Sequence, residues 1–450
     1  MNRVVLVLLM LLVVLAPLPL GANREWSWTL CATITSSIAL LWVAAAVFQP
    51  NKINLKLKPT LMLMFMLVCG WSVLQTVSWT PTEWHHPLWQ MSSEALGSEL
   101  NSRISVSEDD SLTALMRLLS YGLVFILSFQ LGQQRERAFN IYRVLAFAGL
   151  AYAIYGLITF WGGSGSTLLF KNDAISPDVR STFVNRNSYA TYAGLTLLCA
   201  MAWFYQSIVM RRSNQTYDMP MGKQLRIEQF ILKTWKPATA LLLMGTALIL
   251  THSRGGFIST VAASITLLVA LNYRQPIGNV RSKAVIGTAI AIAILAFVMS
   301  SEVLLERMNR IDLDGNGRVI VYEQVADSLQ YDPNKGHGYG TFSDSFRMFR
   351  GEQLTAQYDK AHNTYLENIF ELGWPAALLL FSSIAWLGLI CISGVRNRGR
   401  DWVYPATGLA ATVLVGIHSA VDFSLQIPAV SISYACIMGV GCAQSYSSRT

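Results

Sequence analysis

Charged side chains are scarce in this chain. Only 13% of its 450 residues are Asp, Glu, Lys or Arg, whereas 53% are hydrophobic and the mean hydropathy is +0.40. An ordinary soluble domain carries about 25% charged residues. The composition therefore excludes a soluble globular protein, and the length reflects a number of membrane spans instead of a number of soluble domains.

Cysteine pairs are also lacking. The chain has six cysteines and no C-x-x-C pair, and all six fall inside apolar stretches: Cys31, Cys69, Cys199, Cys391, Cys436 and Cys442. Small buried hydrophobic side chains behave in this way. The pattern excludes a disulfide framework and a cysteine metal site.

Apolar runs of spanning length dominate what is present. We expect about twelve transmembrane helices, although several runs are shorter than the ~20 residues of a straight span. The runs lie near 3–22, 27–49, 60–79, 111–132, 140–162, 187–210, 237–252, 256–272, 284–301, 372–394, 404–420 and 427–444. The first resembles a secretory signal, but its two prolines and its direct continuation into a second run favour a span.

Lysine and arginine in the short loops predict the orientation. With the N-terminus in the cytoplasm, the inside loops and tails hold 19 of the 34 basic residues and only four acids. Both termini are then cytoplasmic. The net charge of +8 follows from this topology, and no basic run interleaved with aromatics indicates nucleic-acid binding.

The longest inside loop, 211–236, is too short for a nucleotide-binding domain, so an activated substrate must come from the membrane or the outer side.

The outer face holds the candidate chemistry. All six histidines fall on or beside it, as does the longest polar stretch, 302–363, between the ninth and tenth runs. Four clusters stand out: Arg180–Asn187, Thr251–Gly256, Gly317-Arg318 together with Gly336–Gly340, and His362–Gly373.

These clusters, with His418-Ser-x-Val-Asp422, resemble the O-antigen ligase and polymerase family over roughly 180–425. The resemblance implies an all-α, GT-C-like polytopic protein of the bacterial inner membrane with a periplasmic active site. It divides the chain into N-terminal helices (1–180), a catalytic membrane domain (181–425, including the loop 302–363) and a last helix with a short tail (426–450). The donor would be an undecaprenyl-diphosphate-linked glycan, in an inverting reaction that needs no metal or other cofactor.

The residues suit that chemistry. A diphosphate leaves as a stable anion, so the site must supply fixed positive charge, and arginine binds phosphate oxygens bidentately. A histidine titrates near neutral pH and can accept the proton of the acceptor hydroxyl. We expect three catalytic residues: His362 as base, with Arg254 and Arg318. The expected substrate-binding residues are Arg180, Arg186, Asn187, Asn363, Tyr365, Glu371 and Asp422.

Several residues have a plainer interpretation. Arg180 could bind lipid phosphates, and His362 could cap the tenth span. His252 and His418 are closer to structural hydrogen-bonding groups. His85 and His86 stand in a Trp-rich loop and are typical of an interfacial aromatic belt. Asp422, at a span end, is expected to orient an arginine or a histidine.

Two further patterns occur in the long polar stretch. Asp312, Asp314, Asn316 and Glu323 have the spacing of an EF-hand calcium loop. Arg318 lies inside that loop and is already assigned by the family resemblance, so calcium is the less favoured hypothesis. Gly336–Gly340 is not a dinucleotide motif, and we expect a tight turn that returns the loop over the site.

Two functions remain open beside the ligase that hands a glycan to the lipid A core. A polymerase would hand it to another lipid-linked repeat unit with the same residues. A transporter or flippase would place charges on broken helices near mid-membrane, often in inverted repeats. No repeat is evident here, and only Arg117 and Arg143 fall within spans, so the sequence favours an enzyme.

Overall fold

The fold is all-helical over the residues that the computed structural model describes, 2–47, 57–162, 178–214, 223–274, 312–354 and 357–446. The α-helices are α1 Asn2–Leu15, α2 Glu25–Val47, α3 Pro59–Thr76, α4 Pro87–Leu96, α5 Glu108–Gly132, α6 Arg135–Trp161, α7 Arg186–Asn214, α8 Lys223–Leu250, α9 Arg254–Arg274, α10 Asp312–Ser328, α11 Phe342–Ser345, α12 Thr364–Asn397, α13 Val403–His418 and α14 Pro428–Ser445.

Six of these helices are long and apolar enough to cross a membrane: Glu25–Val47, Pro59–Thr76, Glu108–Gly132, Arg135–Trp161, Arg254–Tyr273 and Thr364–Asn397. Two more apolar helices, Arg3–Leu15 and Val403–His418, are shorter. A polytopic membrane protein is therefore confirmed. The number of twelve spans stays a prediction, and the run at 284–301 lies outside the described residues.

Helix α14 forms the centre of the bundle. Every residue from Pro428 to Gln444 is buried. Small residues let its backbone approach its neighbours: a Cβ on Gly439 would lie 2.6 Å from the carbonyl oxygen of Phe125, and one on Gly441 would lie 3.2 Å from Cα of Gly408. Close packing of this kind holds helices together in lipid, where the hydrophobic effect does not draw them to one another.

Helix α12 is kinked at Gly373, whose φ of 75° and ψ of 162° only glycine adopts readily. The kink leaves carbonyl groups without helical partners. The Gly336–Gly340 turn provides the missing donors. The backbone N–H of His337 donates to the carbonyl of Phe370 at 3.1 Å, and that of Gly338 donates to the carbonyl of Glu371 at 3.0 Å. The turn that we expected over the site thus packs on the kink of α12.

The calcium-loop hypothesis does not hold. An EF-hand ligates its ion from a non-helical loop of about twelve residues. The segment from Asp312 to Ser328 is instead one α-helix, α10.

Helix ends cluster at two opposite faces of the bundle. At one face, Gln444 Nε2 donates to the carbonyl of Gly132 at 2.7 Å, and Arg135 Nε donates to Asp401 at 2.8 Å. At the other, the N–H of Thr364 donates to the carbonyl of Ser419 at 2.8 Å. The first face carries loops that the charge bias predicts to be cytoplasmic; the second carries the candidate chemistry.

Thiol labelling tests this orientation. All six native cysteines are buried, so a cysteine introduced at a loop can be read on the unaltered background. Ser98 and Gly399 are exposed, on the predicted outer and inner loops respectively. In intact cells a membrane-impermeant maleimide should label Ser98→Cys. Gly399→Cys should react only after the membrane is permeabilised, and the opposite order would contradict the predicted orientation.

Candidate active site

A buried carboxylate, Asp422, lies at the centre of the outer-face cluster. It follows α13 in the chain and is 0% exposed. Asn187 Nδ2 donates to its Oδ1 at 3.3 Å, and the Ser424 hydroxyl donates to its Oδ2. Its own carbonyl accepts from the Thr364 hydroxyl at 2.8 Å. Asp422 therefore joins the start of α7, the start of α12 and the loop that leads into α14.

The surroundings keep this carboxylate ionised. Burial by itself would raise the pKa of Asp422. The neighbouring His362 and His418 side chains and the hydrogen bond from Ser424 outweigh burial and hold that pKa below its ordinary value. A fixed negative charge thus lies beside the candidate base.

His362 faces Asp422 from the residue before the N-cap of α12. Its Nδ1 lies 3.6 Å from Asp422 Oδ1, an ion-pair distance that is longer than a hydrogen bond. The ring packs edge-on against Phe423 with centroids 4.9 Å apart, and the Tyr322 hydroxyl donates to the His362 carbonyl at 2.7 Å. Because Nδ1 faces the carboxylate, Nε2 on the opposite edge of the ring is the nitrogen that can meet a substrate.

The backbone at His362 is in the left-handed region, with φ of 54°. Non-glycine residues seldom adopt it, and such strain persists only where the surroundings fix it. Here Asn363 caps α12, since its Oδ1 accepts from the N–H groups of Tyr365 and Leu366. The cap fixes the beginning of α12 directly after His362 and leaves the imidazole outside the helix.

Arg254 is the first residue of α9 and is exposed. Glycines beside an arginine can let a ligand approach the backbone, but here protein fills that space. A Cβ on Gly255 would lie 2.8 Å from Val421 and 3.0 Å from the His418 ring, and one on Gly256 would lie 2.5 Å from Ala190. The glycines instead bring the turn that carries Arg254 against α7 and the segment that contains Asp422.

Arg186 begins α7, next to Asn187, and is paired with an acid that the sequence analysis missed. Asp178 Oδ2 lies 2.7 Å from an Arg186 guanidinium nitrogen, and its Oδ1 lies 2.8 Å from Nδ1 of His252. Arg180 donates to the carbonyl of Val184 at 3.4 Å. Asp178 lies two residues before Arg180 in the sequence, which is a signal for a charge pair, but its distance from His252 in the sequence hid that contact.

Arg318 lies in the second turn of α10 and is partly exposed. Burial raises the pKa of Tyr322, and the Arg318 charge opposes that change. The same charge acts on His418, whose Nδ1 lies 2.6 Å from the Thr191 hydroxyl. Arg318 is therefore within electrostatic reach of the Asp422 cluster, although it comes from the long polar segment.

Three residues expected to bind substrate are engaged in protein contacts. Asn363 is the cap described above. The Tyr365 hydroxyl donates to the Gly416 carbonyl at 2.7 Å, which ties α12 to α13. Glu371 is 3% exposed and accepts from the N–H of Phe342 at 3.0 Å. These contacts hold α12 against α13 and α11.

The remaining outer-face histidines are structural in their contacts. His85 Nδ1 lies 2.6 Å from the Ser102 hydroxyl. His86 and His337 share a hydrogen bond of 3.0 Å. Burial lowers the pKa of His86 to about 4 and that of His337 to about 3, so this pair is neutral at physiological pH. Trp79, 77% exposed, suits the predicted interfacial belt.

Comparison with known families places part of this site in a recognised domain. Residues 239–381 match the family model described as O-antigen ligase. The matched segment contains Arg254, Arg318 and His362; Arg180, Arg186, Asn187 and Asp422 lie outside it. Comparison with curated proteins gives no match.

The ionised state of Asp422 gives a pH-dependent contribution to stability. A group whose pKa is lower in the folded state stabilises above its unfolded pKa, near 4, and this contribution is lost as the pH falls through the folded value. Asp422→Asn should therefore lower the unfolding temperature at pH 7, through the loss of about 1–3 kcal/mol. The gap between the two proteins should narrow below about pH 4. A gap that is constant from pH 7 to pH 3 would contradict this assignment.

Proposed function

We propose that this protein transfers a glycan from undecaprenyl diphosphate to the lipid A core, on the premise that residues 239–381 match the O-antigen ligase family model. The reaction occurs on the periplasmic face of the bacterial inner membrane. The observation that carries the proposal is the pairing of His362 with the buried Asp422 carboxylate, 3.6 Å apart, among arginines from separate segments.

His362 acts as the general base. An imidazole held by a carboxylate at Nδ1 is oriented for proton transfer at Nε2, and the carboxylate stabilises the imidazolium that forms. Asp422 supplies that carboxylate, and Phe423 fixes the plane of the ring. The acceptor hydroxyl gives its proton to Nε2 as its oxygen attacks the anomeric carbon of the donor sugar.

The arginines act on the leaving group. As the new glycosidic bond forms, the bond between the sugar and the diphosphate breaks, and both electrons leave with the diphosphate. Negative charge grows on that group, so fixed cations that strengthen their contact in the transition state lower the barrier. Arg254 and Arg186 supply them at the starts of α9 and α7, and Arg318 supplies a third from α10. A single displacement of this kind inverts the anomeric configuration.

The acceptor separates two members of the same enzyme class. A ligase uses a lipid A core sugar; a polymerase uses the sugar end of another lipid-linked repeat unit. The base and the clamp serve both reactions. We propose the ligase because the matched domain carries that description, and the polymerase is the second candidate.

A flippase is the candidate from another class. Its substrate path would need polar groups through the bilayer. Along the described spans Arg117 is instead covered by the Trp28 ring, 4.9 Å away, and Arg143 by Phe139, 5.3 Å away. The polar groups collect at one face, which supports transfer chemistry there.

His362→Asn should abolish transfer and leave the protein folded. Asparagine tolerates a positive φ better than other residues, so the backbone at the start of α12 is preserved while the base is lost. Removing a general base costs about 10²–10⁴-fold in rate. The readout is glycan transfer to lipid A core by purified protein of unchanged unfolding temperature. The matched control is His85→Asn, an outer-face histidine bonded to Ser102, which should retain activity. Activity of the His362 variant within a few-fold of the parent would exclude the base role.

Deletion of the gene separates ligase from polymerase. Surface polysaccharide and lipid-linked intermediates are compared before and after. A lipid A core without O-antigen, together with accumulated long lipid-linked chains, is the result expected for the ligase. A core that carries a single repeat unit would instead assign the polymerase.

A further inference from the structure

Asp178 joins two segments that are distant in sequence. It precedes α7, and its side chain is 6% exposed. Its two oxygens take different partners: Oδ2 takes Arg186 at 2.7 Å, and Oδ1 takes Nδ1 of His252 at 2.8 Å. His252 is 74 residues away in the sequence. One buried carboxylate thus ties the start of α7 to the turn before α9.

The turn before α9 has an unfavourable backbone conformation that another contact must stabilise. His252 has φ of 49°, in the left-handed region that non-glycine residues seldom occupy. The backbone N–H of Val179, next to Asp178, donates to the carbonyl of Leu250 at 2.9 Å, which draws the same two segments together. Two residues after His252, Arg254 begins α9. The direction in which Arg254 enters the site therefore depends on the contact between Asp178 and His252.

The Asp178 carboxylate also interacts electrostatically with Arg180 and Arg186. Burial and the neighbouring Arg186 lower the pKa of Arg180, and the Asp178 charge opposes this. The Arg186 side chain is still 37% exposed. Asp178 therefore fixes one edge of that guanidinium and leaves part of the group accessible to an anion.

We propose that Asp178 is a positioning residue that aims Arg186 directly, and Arg254 through His252, at one diphosphate group. This inference rests on the proposed function, in which the two arginines clamp the donor diphosphate. Asp178 is a negative group, so it does not itself bind the diphosphate, and its effect is exerted through its two partners.

The test is Asp178→Asn in purified full-length protein, with undecaprenyl-diphosphate-linked glycan from a ligation-deficient host as donor. Asparagine keeps the size of the side chain but lacks the charge and offers one acceptor oxygen instead of two. The KM for the donor should rise about tenfold or more, since hydrogen bonds to charged groups are strong. The KM for the lipid A core acceptor should stay the same. A purely structural role would lower the active fraction, and so the apparent kcat, with both KM values unchanged; that result would overturn the proposal.

A double-mutant cycle gives a second, independent readout. If Asp178 acts through Arg186, then Asp178→Asn should add little to the loss already caused by Arg186→Ala, because interacting residues are not additive. Full additivity would overturn the proposal. If Arg186→Ala and Arg254→Ala each kept parental activity, the diphosphate clamp itself would be wrong, which is a distinguishable outcome.

Two further variants serve as a control and as a substitute test. Asp401 is a matched control at the opposite face, since it is 8% exposed and accepts from Arg135 at 2.8 Å; Asp401→Asn should leave the donor KM unchanged. Should Asp178→Asn not fold, His252→Asn provides the test, because asparagine tolerates the positive φ but is too short to keep the contact. It should also raise the donor KM, and an unchanged donor KM there would count against the proposal.

Discussion

An ionised carboxylate that is fully buried has to be satisfied by its surroundings, because transfer of a bare charge out of water is costly. Asp422 is such a group, and the site is arranged around it. Asn187, Ser424 and His362 approach it from three different segments. The contacts with Asn187 and His362 each place a residue of the candidate site. The electrostatic requirement of one side chain therefore brings the starts of α7 and α12 together.

The rest of the bundle keeps that arrangement at one face. Glycines in α14 allow close approach of α5 and α13 in the centre, and the kink at Gly373 turns α12 where the Gly336–Gly340 turn supplies hydrogen-bonding groups. Neither feature includes a residue that is proposed to act in the transfer. Both determine where the first turn of α12 lies, and hence where His362 meets Asp422.

Sequence patterns indicate which residue types gather at the candidate site, whereas the individual contacts there come from the fold. The place of Arg254 in a tight turn follows from a motif that is local in the chain, whereas the contact between Asp422 and His362 joins two motifs that are distant in the sequence. Asn363, Tyr365 and Glu371 bond to backbone groups that no linear pattern reveals, and their role in substrate binding stays a prediction. Asp178 was missed because its partner His252 is adjacent only in the folded chain. The calcium-loop spacing was misleading because a pattern of oxygens does not distinguish a loop from the helix α10.

The central claim is that the chain forms a glycosidic bond at the expense of a lipid diphosphate. The most direct measurement uses purified protein in vesicles that contain lipid-linked glycan and lipid A core. The account predicts one undecaprenyl diphosphate released for each glycan joined to the core, and no release when acceptor is omitted. Movement of intact lipid-linked glycan across the bilayer, without a new bond or released diphosphate, would contradict it.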